Sequence, residues 1–153
     1  MTRVSRPIML DARGGLAMNE MIELSLAECQ EYLDRGGVGR LAFVTPKGLR
    51  IVPLNYATNA NAIVFRTVPD SELGTYGEGV EAVFEIDEID HESESGWSVV
   101  AFGRLERPSD ADEVWDIHGW RNPTPWSGHR NFHMKLRWST LTGRRVGGRK
   151  PPA

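Results

Sequence analysis

The sequence lacks several features that would assign its class at once. It contains a single cysteine, Cys29, which excludes an internal disulfide and any zinc site built from several cysteines. No apolar run approaches the ~18 residues that a membrane span needs. The apolar residues 8–10 are followed at once by Asp11, too early for the core of a signal peptide. We therefore expect a single-domain cytoplasmic protein with no membrane partner.

Two long stretches each lack charge of one sign. Residues 67–95 contain no lysine or arginine, and residues 117–153 contain no aspartate or glutamate. The first stretch is rich in acidic residues and the second in arginine and lysine, so the net charge of −3 hides an uneven layout. A basic end indicates an anionic partner, such as a phosphorylated cofactor or a nucleic acid. Pairing of the basic end with the acidic middle, within a subunit or across a dimer, explains it equally well.

Common catalytic and metal-binding motifs are also absent. The sequence has no Gly-x-Gly-x-x-Gly motif and no P-loop, and it has no Gly-x-Ser-x-Gly motif. The acidic residues 87–92 lack the loop glycine and the ligand spacing of an EF-hand, so we interpret them as a solvated turn. We predict no metal site.

The hydrophobic periodicity predicts one helix followed by a series of strands. Residues 25–28 (SLAE) form a capping box, and the helix ends at the glycines 36 and 37. Its apolar face consists of Leu26, Cys29, Tyr32 and Leu33. The period then changes from 3.6 to 2, and strands are predicted at residues 38–45, 49–57, 62–67, 80–89, 96–107 and 132–138, the last continuing past residue 140. A short helix is predicted at residues 109–117.

Six strands joined mostly by short connections favour an antiparallel barrel, because closure removes the exposed edges of the sheet. We therefore predict a mainly β fold, a six-stranded antiparallel barrel with a few short helices. The expected domain covers residues 21–146. Residues 1–20 are interpreted as an N-terminal arm or extension, and residues 147–153 as a C-terminal tail.

Five short segments follow one another at characteristic spacings. They are residues 49–56 (LRIVPLNY), 63–67 (IVFRT), 83–87 (VFEID), 95–99 (SGWSV) and 141–145 (LTGRR). In this order they resemble the pyridoxamine 5′-phosphate oxidase-like, flavin-binding split-barrel family, in particular its small actinobacterial-type members. The resemblance extends from about residue 22 to residue 146. It implies a homodimer of six-stranded split barrels with flavin mononucleotide (FMN) in each of two clefts at the subunit interface.

The resemblance also implies residues that hold the cofactor. Arg50 would contact the flavin phosphate, and the hydroxyls of Thr67 and Ser71 would be further donors. A guanidinium and hydroxyl groups suit a dianionic phosphate. The residues that would run beneath the flavin ring are Ile51, Val52, Pro53, Leu54 and Asn55.

Other parts of the cofactor site are implied on later strands. Trp97 and Ser98 match a strand position that reaches the cofactor in the family, and Arg144 would approach from the partner chain. Trp126, in the proline-rich loop before the last strand, is our candidate for a lid over the ring. A role in the core or in the dimer interface stays open for Trp97, Trp126 and Trp138.

One position departs from the family pattern. Glu72, just before Leu73 in the link after the third strand, stands where many members have lysine or arginine. A carboxylate there repels the phosphate that a cation would attract. Arg66, on the adjacent strand, is the candidate to compensate; otherwise flavin binds weakly, sits differently or is replaced by another ligand. We include Arg66, Glu72 and Leu73 in the predicted cofactor site.

The resemblance implies an FMN-dependent oxidoreductase in which the cofactor supplies the redox chemistry. Residues 112–118 lack the Tyr, Arg and Ser set used for pyridoxamine phosphate, so another small-molecule substrate or electron donor is expected, and no catalytic residue is assigned. The alternative is a binding protein on the same fold that carries flavin, deazaflavin or haem without turnover. Its axial haem ligand would be His118, His129 or His133. A nucleic-acid partner is not expected, because the exposed strands lack alternating aromatic and basic residues.

Overall fold

The computed structural model describes residues 20–108 and 132–147. The predicted helix at residues 109–117, Trp126, and most of the arm and tail lie outside this part of the chain. The described residues form two helices and seven strands. In chain order they are β1 (Met21–Glu23), α1 (Leu26–Leu33), β2 (Gly37–Thr45), β3 (Gly48–Asn59), β4 (Ala62–Thr67), α2 (Glu72–Tyr76), β5 (Glu81–Asp90), β6 (Ser95–Glu106) and β7 (Phe132–Val146).

Strands β2 to β7 form a closed antiparallel ring. Hydrogen-bonded neighbours follow the order β7-β4-β3-β2-β5-β6, and β6 pairs again with β7. Strand β1 is added outside the ring, where Met21 lies opposite Val146 at the end of β7. The predicted mainly β, antiparallel barrel is therefore confirmed. The ring has the six strands that were predicted, and β1 adds a seventh strand to the sheet. The sequence did not predict β1, because a strand of three residues is too short to show a period of 2.

Helix α1 begins as the sequence predicts. The Glu28 amide donates to Ser25 Oγ at 3.2 Å, and the Ser25 amide donates to Glu28 Oε2 at 2.9 Å, which completes the capping box. Cys29, Tyr32 and Leu33 are buried against the barrel, as expected for one helical face. Leu26 differs from the prediction: it is 64% exposed, because the buried face of the helix begins only at Cys29.

Helix α1 packs against the barrel core and contacts β3 and β7. The hydroxyl of Tyr56, on β3, donates to the Leu33 carbonyl at 3.0 Å. Cys29 lies against Gly143 of β7, where an added Cβ would come within 2.7 Å of Cys29 Sγ. Because glycine has no side chain there, the helix packs directly on the β7 backbone. Burial raises the pKa of the Cys29 thiol, which fits its predicted role as a small core residue.

The acidic middle of the chain is met by arginines from several strands. Arg40, on β2, pairs with Asp87 at 2.6 Å and with Glu85 at 3.6 Å. On β6, Arg104 pairs with Glu81 at 2.9 Å. Three carboxylates of β5, those of Glu81, Glu85 and Asp87, are therefore compensated within the subunit by residues outside the basic end of the chain.

Side chains alternate between the barrel interior and its outer surface. On β5, Phe84 and Ile86 are buried, whereas Val83 and Glu85, which alternate with them, are less so, as the period of 2 predicts. The ring of Phe84 covers Gly39 on the neighbouring strand, where a Cβ would overlap the ring and lie 2.9 Å from the Glu85 carbonyl oxygen. Gly39 is therefore part of the core packing.

Substitution of Gly39 tests this packing. Gly39→Ala should lower the free energy of unfolding by about 1–3 kcal/mol, because the added methyl overpacks the core; urea denaturation measures the change. The double variant with Phe84→Leu should be less destabilised than the sum of the two single variants, since the shorter side chain leaves room for the methyl. Strictly additive effects would show that another contact limits the space at Gly39.

Candidate functional site

Four predicted phosphate-site residues lie together beside helix α2. Arg50 is near the start of β3, opposite Phe43 of β2. Glu72 is the first residue of α2, and the side chains of Arg50 and Glu72 form two hydrogen bonds, Nε to Oε2 at 2.7 Å and Nη2 to Oε1 at 3.2 Å. Ser71 caps the same helix, and its Oγ lies 3.0 Å from Thr67 Oγ1. The fold thus connects β3 and β4 to α2 through two side-chain pairs, Arg50–Glu72 and Thr67–Ser71, whose α2 members are adjacent in sequence.

The Arg50–Glu72 pair is a two-pronged ion pair at the protein surface. Hydrogen bonding from Arg50 is the main cause that lowers the pKa of Glu72, and the positive charges of Arg50 and Lys47 lower it further. The same hydrogen bond raises the pKa of Arg50. Both groups are therefore charged at neutral pH, and together they carry no net charge.

The hydroxyls of Ser71 and Thr67 also have partners within the protein. Ser71 Oγ donates to the Val68 carbonyl at 2.7 Å and accepts from the Gly74 amide at 3.0 Å. A hydroxyl has only one proton to donate. Thr67 must therefore be the donor in its 3.0 Å bond to Ser71, and both hydroxyl protons are engaged.

Leu73 and Gly74 fix the position of α2. The Leu73 side chain is 4% exposed and packs into the barrel core. A Cβ on Gly74 would lie 2.7 Å from the Pro69 carbonyl oxygen and would overlap that of Val68, so the helix starts tightly against the preceding turn. Leu73 thus anchors the helix from inside the barrel, which holds Glu72 in reach of Arg50.

The predicted ring-binding segment of β3 has two different faces. Val52 and Leu54 lie opposite Leu41 and Gly39, on the side of the barrel interior. Ile51, Pro53 and Asn55 alternate with them on the outer surface, and Ile51 is 68% exposed. Arg50 begins the row of Val52 and Leu54, one position before the exposed Ile51. An apolar strand surface one position from a charged group suits a ligand with a flat apolar ring and a charged tail.

This apolar surface continues onto neighbouring strands. Val44, 54% exposed on β2, lies opposite Leu49, which is 72% exposed on β3. Phe102, on β6, is 41% exposed and lies opposite Val83. We call Val44, Leu49, Ile51 and Phe102 the outer apolar face. The sequence analysis missed this face as a whole, although the alternation of Leu49 and Ile51 with Arg50 was a visible signal.

Trp97 lies on the inner side of its strand. Its ring packs against Tyr32 of α1 with centroids 4.0 Å apart and planes inclined by 31°. The Arg35 guanidinium lies 4.5 Å from the centre of the Tyr32 ring. Trp97 and Trp138 both pack against the barrel core, in the structural role that the sequence left open for them.

Ser98 and Arg144 lie opposite each other on β6 and β7. Ser98 also pairs with Asp87 of β5. Arg50 pairs with Phe43 of β2, which in turn pairs with Ala82 of β5. Five residues of β5 separate these two levels, which corresponds to roughly 17 Å along the strand. Within one chain the fold does not bring Ser98 and Arg144 to the Arg50 cluster.

Arg66 does not lie in the Arg50–Glu72 pair. It is on β4, opposite His133 of β7, and it alternates with the buried Phe65 and Thr67, so it belongs to the outer side of the sheet. The residue that meets the Glu72 carboxylate is Arg50. Sequence reasoning could not find this pair, because 22 positions separate the two residues and only the fold joins them.

The described residues contain neither a metal-binding cluster nor a membrane-spanning helix. No group of three or more His, Cys, Asp or Glu side chains in residues 20–108 and 132–147 is arranged to hold a metal ion. Neither of the helices in these ranges is long and apolar enough to cross a membrane.

The lowered pKa of Glu72 is measurable by NMR titration of its side-chain carboxyl. In the wild type the midpoint should fall below the ordinary value of 4.5, and Arg50→Gln should move it upwards, because the main stabilising hydrogen bonds are lost. Lys47→Gln should move it less.

The stability that the pair contributes is present above the ordinary pKa of Glu72 and is lost as the pH falls through the lowered pKa. The stability difference between wild type and Arg50→Gln should therefore shrink on acidification. An unchanged midpoint in Arg50→Gln would contradict the pairing.

Comparisons with known proteins agree with this arrangement of strands. Residues 25–145 match the family model described as pyridoxamine 5′-phosphate oxidase. A search among curated proteins finds no match.

Several solved structures share the fold. The FAD binding protein from Mycobacterium smegmatis is 24% identical with a TM-score of 0.70, and the alignment covers 81% of this chain and 97% of that one. A FAD-binding protein from Mesorhizobium loti is 20% identical with a TM-score of 0.66, covering 84% and 98%. The FAD and heme binding protein from Mycobacterium smegmatis is 13% identical with a TM-score of 0.65, covering 86% and 76%.

The family match spans α1, the closed ring of strands and the Arg50 cluster. It confirms the resemblance seen in the five sequence segments. The chain belongs to the pyridoxamine 5′-phosphate oxidase family.

Proposed function

We propose that this protein binds a flavin, with FMN as the first candidate, and acts as a flavin-dependent oxidoreductase on a small molecule other than pyridoxamine phosphate. The observation that carries the proposal is the structure of β3. On this strand the exposed apolar residues Ile51 and Pro53 alternate with the less exposed Arg50 and Val52, so an apolar surface and a guanidinium occupy neighbouring positions. Family membership and the flavin-binding names of similar structures support it.

The flavin, when bound, supplies the redox chemistry, so no acid–base dyad is required of the protein. The contribution of the chain is to bind and orient the cofactor. Ile51 and Pro53 would offer an apolar surface to the ring, and backbone N–H and C=O groups of the strand would pair with the polar edge of the ring. Arg50 would hold the phosphate end after exchanging part of its bonding to Glu72.

We further propose that two copies of the chain form a homodimer through the outer apolar face. Large exposed apolar patches are rare on monomers and mark interaction sites. A second copy packed on this face would cover Ile51 and could bring its own Ser98 and Arg144 to the cofactor. The distance between these residues and Arg50 within one chain supports a site completed by a partner.

A second candidate is a binding protein on the same fold that carries flavin, deazaflavin or haem without turnover. It is favoured by the ion pair that already occupies Arg50, and by the name of the similar FAD and heme binding protein. Of the histidines considered as haem ligands, His133 lies on β7 opposite Arg66. His118 and His129 lie outside the described residues.

The visible spectrum of the purified protein distinguishes the two candidates. We expect a yellow flavin spectrum that bleaches on addition of a reduced nicotinamide. A flavin that never exchanges electrons, or a Soret band, would favour the second candidate. A colourless protein that binds no added flavin would contradict the proposed function.

Arg50→Ala tests the phosphate contact. It should weaken flavin affinity about ten- to hundred-fold, the usual effect of losing a hydrogen bond to a charged group; fluorescence quenching of the added flavin measures it. Arg104→Ala is the matched control, because Arg104 also forms an exposed ion pair with a glutamate. Equal affinities in both variants would show that the phosphate lies elsewhere.

Ile51→Glu tests the dimer. A charge in the centre of the outer apolar face should shift the protein from dimer to monomer in sedimentation analysis and should also weaken flavin binding. Leu26→Glu is the control, since Leu26 is similarly exposed, at 64%, but belongs to α1. A dimer that persists in Ile51→Glu would place the interface on another surface.

A further inference from the structure

The outer surface of β2 and β5 carries a charged cluster whose charges do not cancel. Arg40 faces two carboxylates, Asp87 at 2.6 Å and Glu85 at 3.6 Å, so the three ionised groups sum to a charge of −1. We propose that Glu85 couples dimerisation to the uptake of a proton, so that two copies of the chain associate more tightly as the pH falls. This inference rests on the homodimer proposed above and adds a regulation of its interface.

The cluster directly adjoins the outer apolar face. Arg40 lies opposite Pro53 of β3, two residues beyond Ile51. Glu85 lies opposite the residue of β6 that is two positions before Phe102. Because residues two apart on a strand share one side of the sheet, a second copy that buries Ile51 and Phe102 also reaches the cluster.

Exposed apolar residues continue on the far side of the cluster. The outward-facing residues of β2 are, in chain order, Val38, Arg40, Ala42 and Val44. Arg40 therefore stands between two exposed valines, Val38 at 43% and Val44 at 54%. On β5 the outward row that holds the two carboxylates ends with Ile89, which is 61% exposed. The charged cluster is thus enclosed by apolar surface of the kind that marks an interaction site.

The charged groups around Glu85 are few within residues 20–108 and 132–147. On β2 the residue opposite Glu85 is Arg40, and on β6 it is Val100. The next outward residue of β5 is Asp87, which lies opposite the uncharged Ser98. Arg40 and Asp87 are therefore the charged groups that face Glu85 from these three strands, and together they leave its charge uncompensated.

Glu85 is the weaker of the two partners of Arg40. Asp87 Oδ1 accepts a hydrogen bond from Arg40 Nη2 at 2.6 Å, whereas the contact of 3.6 Å to Glu85 is too long for one. Partial burial and the negative charge of Asp87 both raise the pKa of Glu85. A proton on Glu85 removes the excess charge and leaves the Arg40–Asp87 pair intact.

Association through this face withdraws the cluster from water. An uncompensated charge is costly to bury, and a carboxylate in that position takes up a proton instead. The pKa of Glu85 is therefore higher in the dimer than in the monomer. A group that binds its proton more tightly in the associated state favours association as the pH falls through its pKa in that state.

The experiment measures the dimer dissociation constant of the full chain by sedimentation analysis between about pH 8 and about pH 5.5. For a dimer too tight to dissociate, the dependence of urea unfolding on protein concentration gives the same constant. In the wild type the constant should fall about ten-fold or more over this range. Glu85→Gln should lower the constant at the upper pH and remove most of its pH dependence, because the cluster is then neutral. Asp87→Asn should act in the same direction, since it also leaves one guanidinium with one carboxylate.

Glu81→Gln is the matched control. Glu81 lies on the same strand and the same side as Glu85, but it has its own partner, Arg104, at 2.9 Å. Its removal should leave the pH dependence of association as in the wild type. The phosphate of a bound flavin titrates alike in all four proteins, so the comparison isolates the cluster.

The outcomes separate the role of Glu85 from the dimer itself. A pH dependence in Glu85→Gln equal to that of the wild type would overturn the role of Glu85 while leaving the dimer intact. Weaker association of Glu85→Gln at the upper pH would also overturn it, because the carboxylate would then be paired with a cation of the second copy. A wild type that is monomeric at every pH would instead refute the proposed homodimer, and this inference with it.

Discussion

The barrel depends on one long strand that pairs on both sides. Strand β7 has 15 residues; it pairs with β6 from Lys135 to Val146 and with β4 from Phe132 to Arg137. The pairing with β6 shifts register at Gly103, where a Cβ would overlap the Arg137 carbonyl oxygen. Because glycine lets the two backbones approach here, β7 can bend from one neighbour to the other and close the ring.

Both helices contribute residues to the core of the closed ring. Helix α1 buries Cys29, Tyr32 and Leu33 against the core, and its Tyr32 ring packs on the partly buried Trp97. Helix α2 inserts Leu73 and leaves its first residue at the surface beside β3. The polar cluster is therefore a consequence of packing: the same insertion that buries a leucine presents a glutamate to an arginine.

The sequence predicts the parts of this structure that depend on local pattern. Alternation located the ring strands, the SLAE segment located the start of α1, and the five family segments identified the fold. Contacts between residues far apart in the sequence could not be predicted from local pattern. Nothing within a few residues of Glu72 indicates Arg50 as its partner, and the outward positions of Val44 and Phe102 become one surface only after β2, β3, β5 and β6 align. Strand β1 escaped detection because three residues carry no measurable period.

The charge layout of the sequence has a different meaning once the pairs are known. Part of the acidic segment is compensated within the subunit, since Arg40, Arg50 and Arg104 each pair with a carboxylate from it. An arginine committed to such a pair cannot be treated as an unoccupied anion receptor, even when its position in the family suggests one. A ligand binds Arg50 only if its interaction with the guanidinium is more favourable in free energy than that of the carboxylate it displaces. The selectivity of this site therefore depends on the difference between two anions that compete for one guanidinium.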